Sequence, residues 1–433
     1  MVRCPQSILL RHGCLEEDGW KMGLSLELLM KLEKEYGDSF YILDLRRFES
    51  NYKGLLESFR SIYARSNIAY SYKTNYIPKL CKCVNLLGGY AEVVSRMEYD
   101  LALRVGVPPQ KIIFNGPVKL YEDIKYALLG GSIINLDSFH ETSMVEAVAR
   151  EIPTRKFAVG VRCNFDVGTG DVSRFGVDVN GGELESIFEA LTSLANCQVE
   201  GLHCHFSSER SLESYALRTR RLLELSFIYF RDRHPRYIDI GGGFFGKMSQ
   251  DLAQQFGCPI PSYQEYAEVI APQFVDAFPG ASGPELIIEP GIGLVGDVMK
   301  FVSKVVSLKT VGYKRFATVT GSIYNIKPTL NKINLPMQIY SDDKDRSSDK
   351  IDSPIDVVGY TCMEIDYLYK NFQEQMSMGD YVVFDNVGAY TIVLKPPFIR
   401  TSPAVIAYDS LLGTYETCRR EENYEDIFST YQV

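Results

Sequence analysis

The feature that most constrains this chain is a repetition, between residues 68 and 291, of short β-type runs separated by stretches long enough for a helix. Eight runs can be read: IAYSYK (68–73), YAEVVS (90–95), KIIFNG (111–116), SIINLDS (132–138), FAVGVRCN (157–164), VEGLHCHF (199–206), RYIDIGGG (236–243) and ELIIEPG (285–291). Strands alternating with helices build a parallel sheet, because parallel neighbours need a long crossover, and eight such units suit a closed (β/α)8 barrel. After about residue 295 the rhythm changes to strands with turns and few helices, as in VMKFVSKVVSLKTV, RFATVTGS, PIDVVGYTC and DYVVFDNVGAYTIV. The expectation is an α/β chain with two domains: a barrel over 43–294, and a mainly β domain built from 1–42 and 295–433. At 433 residues the chain also exceeds the size at which one hydrophobic core usually stops growing.

In a barrel of this kind the chemistry gathers at the carboxyl ends of the strands. Those ends carry Lys73, Ser95, Asn115, Ser138, Asn164, His205 with Ser207 and Ser208, Gly241 to Gly243, and Glu289. Singly, each has a plain structural reading: a solvated lysine, a packed histidine, a glycine turn. Their coincidence on one face points to a ligand site. A lysine leaving an apolar strand into a desolvated pocket is expected to have a lowered pKa and a free amine. Three consecutive glycines let backbone N–H groups approach an anion. A histidine offers a flat face to a ring, and a carboxylate across the barrel can hold a ring nitrogen protonated. These are the four parts that a pyridoxal phosphate site requires.

The same residues resemble the fold-type III pyridoxal-phosphate enzymes, the ornithine, arginine and diaminopimelate decarboxylase group related to alanine racemase, from about residue 40 to 400. YSYKTN resembles that family's Schiff-base lysine motif, which assigns Lys73. HCHFSS implies His205 as the residue stacked on the cofactor ring and Ser208 as a phosphate contact. DIGGGF resembles the phosphate-binding glycine loop (Gly241, Gly242, Gly243). IIEPG implies Glu289 as partner of the ring nitrogen, with Gly291 beside it, and DNVGAY implies Tyr390 as a further phosphate contact. GYTCMEID resembles the segment whose cysteine is the proton donor, here Cys362. Arg162 in VRCN also fits, as does SRFG, where Arg174 stands in place of a commoner lysine. The resemblance implies loss of an α-carboxylate as CO2 from an amino acid, with Cys362 or Lys73 returning the proton. It also implies a homodimer in which Lys73 meets Cys362 and Tyr390 across a two-fold axis.

Departures from the family pattern bear on the substrate. Where ornithine and diaminopimelate enzymes follow the cysteine with an acid that reads a distal ammonium, this chain has Met363. Glu364, one residue on, points the opposite way if the stretch is extended. EPGR is EPGI, so Ile292 replaces an arginine. NIKPTL resembles an asparagine…arginine-proline stretch of the diaminopimelate enzymes, with Lys327 as a cation able to pair with a substrate carboxylate. The expectation is a decarboxylase for an amino acid or conjugate with a neutral or anionic distal end, of the sort found in secondary-metabolite or siderophore biosynthesis. The alternatives are a racemase or epimerase on the same fold, a diaminopimelate-type decarboxylase, and a non-catalytic pyridoxal-phosphate-binding protein. Against the last stand the roughly 140 residues that follow the barrel.

A net charge of −9 without a Lys/Arg cluster argues against nucleic acid. No run is long and apolar enough for a membrane span, and Arg11 and His12 interrupt the short apolar run near the start, so a cytoplasmic location is expected. The ten cysteines lack paired CxxC spacing, which indicates neither a metal site nor a disulfide framework; CKC at 81–83 reads as helix. The charged stretch SDDKDRSSDKIDSP (341–354) reads as a mobile surface loop, and order in the last twenty residues is left open.

Overall fold

All eight runs become strands of one closed parallel barrel: Ser66–Ser71, Tyr90–Val93, Ile112–Phe114, Ile133–Leu136, Phe157–Asn164, Cys197–His203, Tyr237–Asp239 and Glu285–Ile288, the last pairing back onto the first. This computed structural model describes residues 23–432 except 169, 171, 281, 343–352 and 410. Most of the loop expected over 341–354 therefore lies outside the described residues, as do Cys4 and Cys14. Barrel strands are covered on both faces, which explains why they read as continuous apolar runs. The barrel closes around Tyr237: a Cβ at Gly160 would lie 2.0 Å from its hydroxyl and one at Gly201 2.2 Å from its ring, so only glycine admits that ring.

The second sheet runs in the order Tyr367–Phe372, Ile355–Val358, Lys314–Val319, Met299–Val311, Phe40–Leu43, Ala404–Asp409, Thr414–Arg419. Tyr381–Phe384 adds to Met299–Val311 and carries Met337–Tyr340. The apolar FYIL of Phe40–Leu43 thus lies between an antiparallel and a parallel neighbour, which stitches the segment before the barrel into the β sheet. Asp44 then caps the helix Leu45–Arg60, its carboxylate accepting from Arg47 N at 2.8 Å, and the chain enters the barrel. The last twenty residues are built as the strand Thr414–Arg419 and the helix Tyr424–Phe428.

Two local differences from the sequence reading matter at the site. Lys73 is not on the strand, which ends at Ser71, but on the single 3-10 turn Tyr72–Thr74 that follows it. The segment around Cys362 is not extended either: the strand ends at Val358, and Asp366 gathers the turn after it by accepting from Thr361 N at 3.0 Å and Thr361 Oγ1 at 2.6 Å. The two domains meet beside Lys73, where Tyr390 N donates to Thr74 O at 2.9 Å and Asn75 Nδ2 to Gly388 O at 2.8 Å.

Candidate active site

A ladder of polar side chains climbs from the barrel floor to Lys73. Tyr237 OH donates to Asn135 Oδ1 at 2.7 Å, and Asn135 Nδ2 donates to Asn115 Oδ1 at 2.9 Å. The amide of Asn115 then serves two acids, Glu289 Oε1 at 2.5 Å and Glu92 Oε1 at 3.2 Å. Glu92, with a fully buried side chain, receives the Lys73 ammonium at 2.6 Å on its other oxygen. Every member comes from a different strand or strand end, so the ladder exists only when the barrel closes.

This ladder corrects the expected lowering of the Lys73 pKa. Burial does pull it down, but the charges of Glu92 and Glu289 and the hydrogen bond to Glu92 outweigh that, and the amine is held above its ordinary value. A desolvated lysine loses its proton only when no anion shares the pocket; here two do.

Around Glu289 the electrostatics separate two neighbouring acids. Burial opposes its ionisation, yet nearby His203 and the Lys73 ammonium outweigh burial and hold its carboxylate below the usual range. His203 Nε2 is 3.5 Å from Glu289 Oε2. Asp239, fully buried alongside, is pushed well above the carboxylate range by burial and by the charge of Glu289. The polar atoms of His203, Asp239 and Glu289 lie within 4.8 Å of one another. Burial and the neighbouring charges thus push the two acids in opposite directions. His205 accepts from Gly242 N on Nδ1 at 2.9 Å, and burial holds it neutral, so its Nδ1 is no ion-pair donor to Glu289 although the two lie 3.8 Å apart.

The glycine loop is shaped by close approach. A Cβ on Gly241 would sit 2.2 Å from Cys204 O, and one on Gly242 would sit 2.2 Å from Glu289 O; Gly241 and Gly243 both have positive φ. Among the described residues the N–H groups of Gly243 and Phe244 donate to no protein acceptor. Gly291 packs in the same way, its Cβ position 2.2 Å from Thr74 Oγ1.

The remaining expected residues fall into two places. Beside Lys73 stands Tyr390, at a φ of 56°. Its tie to Thr74 is within one chain, which corrects the expectation that Tyr390 reaches Lys73 only across a dimer axis. Arg162 is buried behind the loop after Cys197–His203, with Nη1 on Asp137 Oδ1 and Nη2 on His205 O, each at 3.1 Å. Arg174 stacks on Phe175 at 4.1 Å. Ser208 is exposed. The other group lies on the β domain. Cys362 and Glu364 are exposed, Met363 Sδ accepts from Tyr324 OH at 3.3 Å, and buried Lys327 donates to Ile333 O at 2.6 Å. Sequence reasoning placed Asn115 at a strand end without giving it a role, and missed Glu92, His203 and Asp239. The available signal was a polar residue inside an otherwise apolar run.

The mouth fits pyridoxal phosphate on its own terms: a lysine amine is paired with a buried carboxylate, and a loop that no side chain can fill holds two N–H donors without protein acceptors among the described residues. These features define the class, a pyridoxal-phosphate-dependent enzyme on a (β/α)8 barrel. Residues 49–296, more than half of the chain, match the family model for the pyridoxal binding domain of the pyridoxal-dependent decarboxylases, and the chain belongs to that family. It is similar to the diaminopimelate decarboxylase of Aquifex aeolicus, 26% identical over 416 residues that cover 92% of this chain and 93% of that one. A probable chloroplastic diaminopimelate decarboxylase of Oryza sativa is 27% identical over 397 residues, 88% and 76% of the two chains. Among solved structures, the M. jannaschii diaminopimelate decarboxylase in complex with L-lysine aligns with a TM-score of 0.82 at 22% identity over 93% and 94% of the chains. The arginine decarboxylase of Paramecium bursaria Chlorella virus gives 0.70 at 22%, over 86% and 96%. When bound, the cofactor supplies an electron-withdrawing ring that takes up the electrons released as a carboxylate leaves.

Proposed function

We propose that this decarboxylase removes the α-carboxylate from an amino acid or amino-acid conjugate whose distal end is neutral or anionic. In this reading Lys73 presents its amine to the cofactor, Glu289 holds a proton on the ring nitrogen, the His205 ring covers one face, and Gly241 to Gly243 with Ser208 and Tyr390 take the phosphate. Arg162 braces the His205 loop. Cys362 supplies the proton that replaces the carboxylate.

One observation carries the substrate reading. Asp366 ties the turn bearing Cys362 and Met363 to the segment Ser322–Lys327, since its other oxygen accepts from Ile323 N at 2.7 Å. The two segments form one corner of the β domain. Within it no acid follows Cys362 directly to read an ammonium. Lys327, whose pKa is pushed down to about 8 by burial and then by Lys370, bonds one backbone carbonyl among the described residues. A buried, half-satisfied amine gains most from a substrate carboxylate. The full-length likeness to diaminopimelate decarboxylases supports a second reading, in which diaminopimelate itself is the substrate and its distal carboxylate pairs with Lys327. A biosynthetic role in secondary-metabolite or siderophore chemistry accords with the first reading. The exposed Cys362 turn favours a homodimer in which that turn completes the partner's site. The free thiols of all eight described cysteines support a reducing, cytoplasmic setting. Among the described residues, no helix is long and apolar enough to cross a membrane.

The test is mass spectrometry of products formed in deuterated water from a panel of D- and L-amino acids, including meso-diaminopimelate, acids with distal carboxylates, and amide conjugates. The expected result is loss of CO2 with gain of one deuterium, fastest for a substrate without an unpaired distal ammonium. Turnover of free ornithine or lysine at rivalling rates would overturn the substrate reading. Deuterium exchange at the α-carbon without CO2 loss would make the enzyme a racemase or epimerase, with Cys362 as the opposing base.

A further inference from the structure

The helix Leu212–Tyr229 turns one cation inward, toward the glycine loop. Arg218 is fully buried, and among the described residues it makes no ion pair. Its Nη2 donates to Glu209 O at 2.5 Å and Ser214 Oγ at 2.9 Å, its Nη1 to Gly242 O at 3.3 Å, and its Nε has no partner. The guanidinium stacks over the Tyr215 ring at 4.0 Å and lies 5.4 Å from the Phe206 ring. Desolvating a guanidinium costs several kcal/mol unless a counter-ion offsets it. A helix brace alone needs no charge, since a neutral amide can donate to the same carbonyls.

The direction of the contact identifies the missing anion. Gly242 O accepts from both Arg218 Nη1 and Tyr215 OH, the latter at 2.9 Å. The Gly242–Gly243 peptide is trans, so its N–H points away from its C=O. That N–H, on Gly243, is one of the two donors of the loop that lack a protein acceptor. A cation held on the oxygen side polarises the peptide and strengthens the N–H on the far side. We infer that Arg218 is the fixed countercharge for the cofactor's phosphate, acting through the Gly242–Gly243 peptide without touching the phosphate. Arg218 is therefore a positioning residue. This inference rests on the reading that the phosphate sits on Gly241 to Gly243.

The experiment compares pyridoxal phosphate with pyridoxal, which lacks the phosphate, as ligands of the cofactor-free protein, with dissociation constants read from the absorbance change on binding. Arg218→Gln keeps donors and removes charge; Arg218→Lys keeps charge. In Arg218→Gln the preference for the phosphorylated ligand is expected to fall about tenfold or more, in line with a lost charge-assisted interaction. Arg218→Lys retains most of it, and affinity for pyridoxal stays unchanged in both. Stabilisation of the cofactor-free protein against heat by inorganic phosphate is lost in parallel. Equal weakening of both ligands in Arg218→Gln would show a mere brace and overturn the inference, as would an unchanged preference. If Arg218→Gln does not fold, Tyr215→Phe deletes the other donor to the same carbonyl. It should lower the preference in the same direction, and an unchanged preference overturns the peptide route. A wild-type protein with no preference for the phosphate ester would instead overturn the site reading itself.

Discussion

Lys73 Nζ lies 2.6 Å from Glu92 Oε2, so the amine at the mouth of the barrel is paired with an acid from the next strand. The pair keeps a proton on a group that must lose it to act as a nucleophile. Substituting Glu92→Gln removes the largest charge that raises the Lys73 pKa, while the Asn115 amide retains an oxygen to bond. The amine then titrates at lower pH. The rate of pyridoxal phosphate uptake by the cofactor-free protein, followed by absorbance against pH, is expected to have its midpoint displaced to lower pH in the variant. A midpoint that stays in place would show that Glu92 does not control the amine.

Asp239 and Glu289 make a second contrast, because the pair is expected to carry one proton, on Asp239. Asn is a near copy of a protonated aspartate and its oxygen can still accept from Gly241 N, as Asp239 Oδ1 does at 2.9 Å. Asp239→Asn should therefore keep most activity. Glu289→Gln has the same size change but removes the charge that holds the ring nitrogen protonated, and kcat should fall about a hundredfold or more. Steady-state kinetics on both variants decide the matter; equal losses would mean that the proton sits elsewhere.

Glu98 gives a prediction for stability. Burial, assisted by the charge of Glu92, pushes it up to about 7 against the lowering effect of the Val94 N–H it accepts at 2.8 Å. An acid raised in the folded state binds a proton there that the unfolded chain has released. Stability from this group therefore declines as pH rises from the ordinary 4.5 through 7, and the full penalty remains above 7. Glu98→Gln removes the penalty and keeps an acceptor for Val94. At pH 8 the variant should be more stable by about 1–3 kcal/mol, with no gain below pH 4.5. Thermal or urea unfolding of both proteins across pH tests this; a variant less stable than the wild type at pH 8 would show Glu98 working as an ionised cap.

The barrel was legible because eight strands buried on both faces leave eight apolar runs, and Lys73, His205, the three glycines and Glu289 were legible because they stand at strand ends. What lies inside the barrel was not. Glu92 sits within YAEVVS and Asn115 at the end of KIIFNG, and nothing in a linear run says that two such residues meet until the strands close. The same closure reversed the reading of Lys73, since burial alone predicts a low pKa and two acids arriving from other strands oppose it. The loss of an arginine at position 292 was visible. That Arg218 stands fully buried behind the glycine loop was not, because ESYALRTRRLL looks like a solvated helix face. Helical spacing held the signal: Ser214, Arg218 and Leu222 are four residues apart and all buried.

Cys362 supplies the last prediction. It lies exposed on a turn of the β domain, whereas Tyr390 of the same chain already stands beside the Lys73 turn. If each site joins Lys73 of one chain to Cys362 of its partner, Lys73→Ala and Cys362→Ala proteins are each strongly impaired for a different reason. Exchanging subunits between them then creates one intact site in each mixed dimer. Random exchange of equal amounts makes half the dimers mixed, with one of two sites whole, so about a quarter of wild-type activity should return. Activity after exchange no higher than the sum of the two parents would place Lys73 and Cys362 in separate functions or in a single chain, and would remove Cys362 as the partner's proton donor.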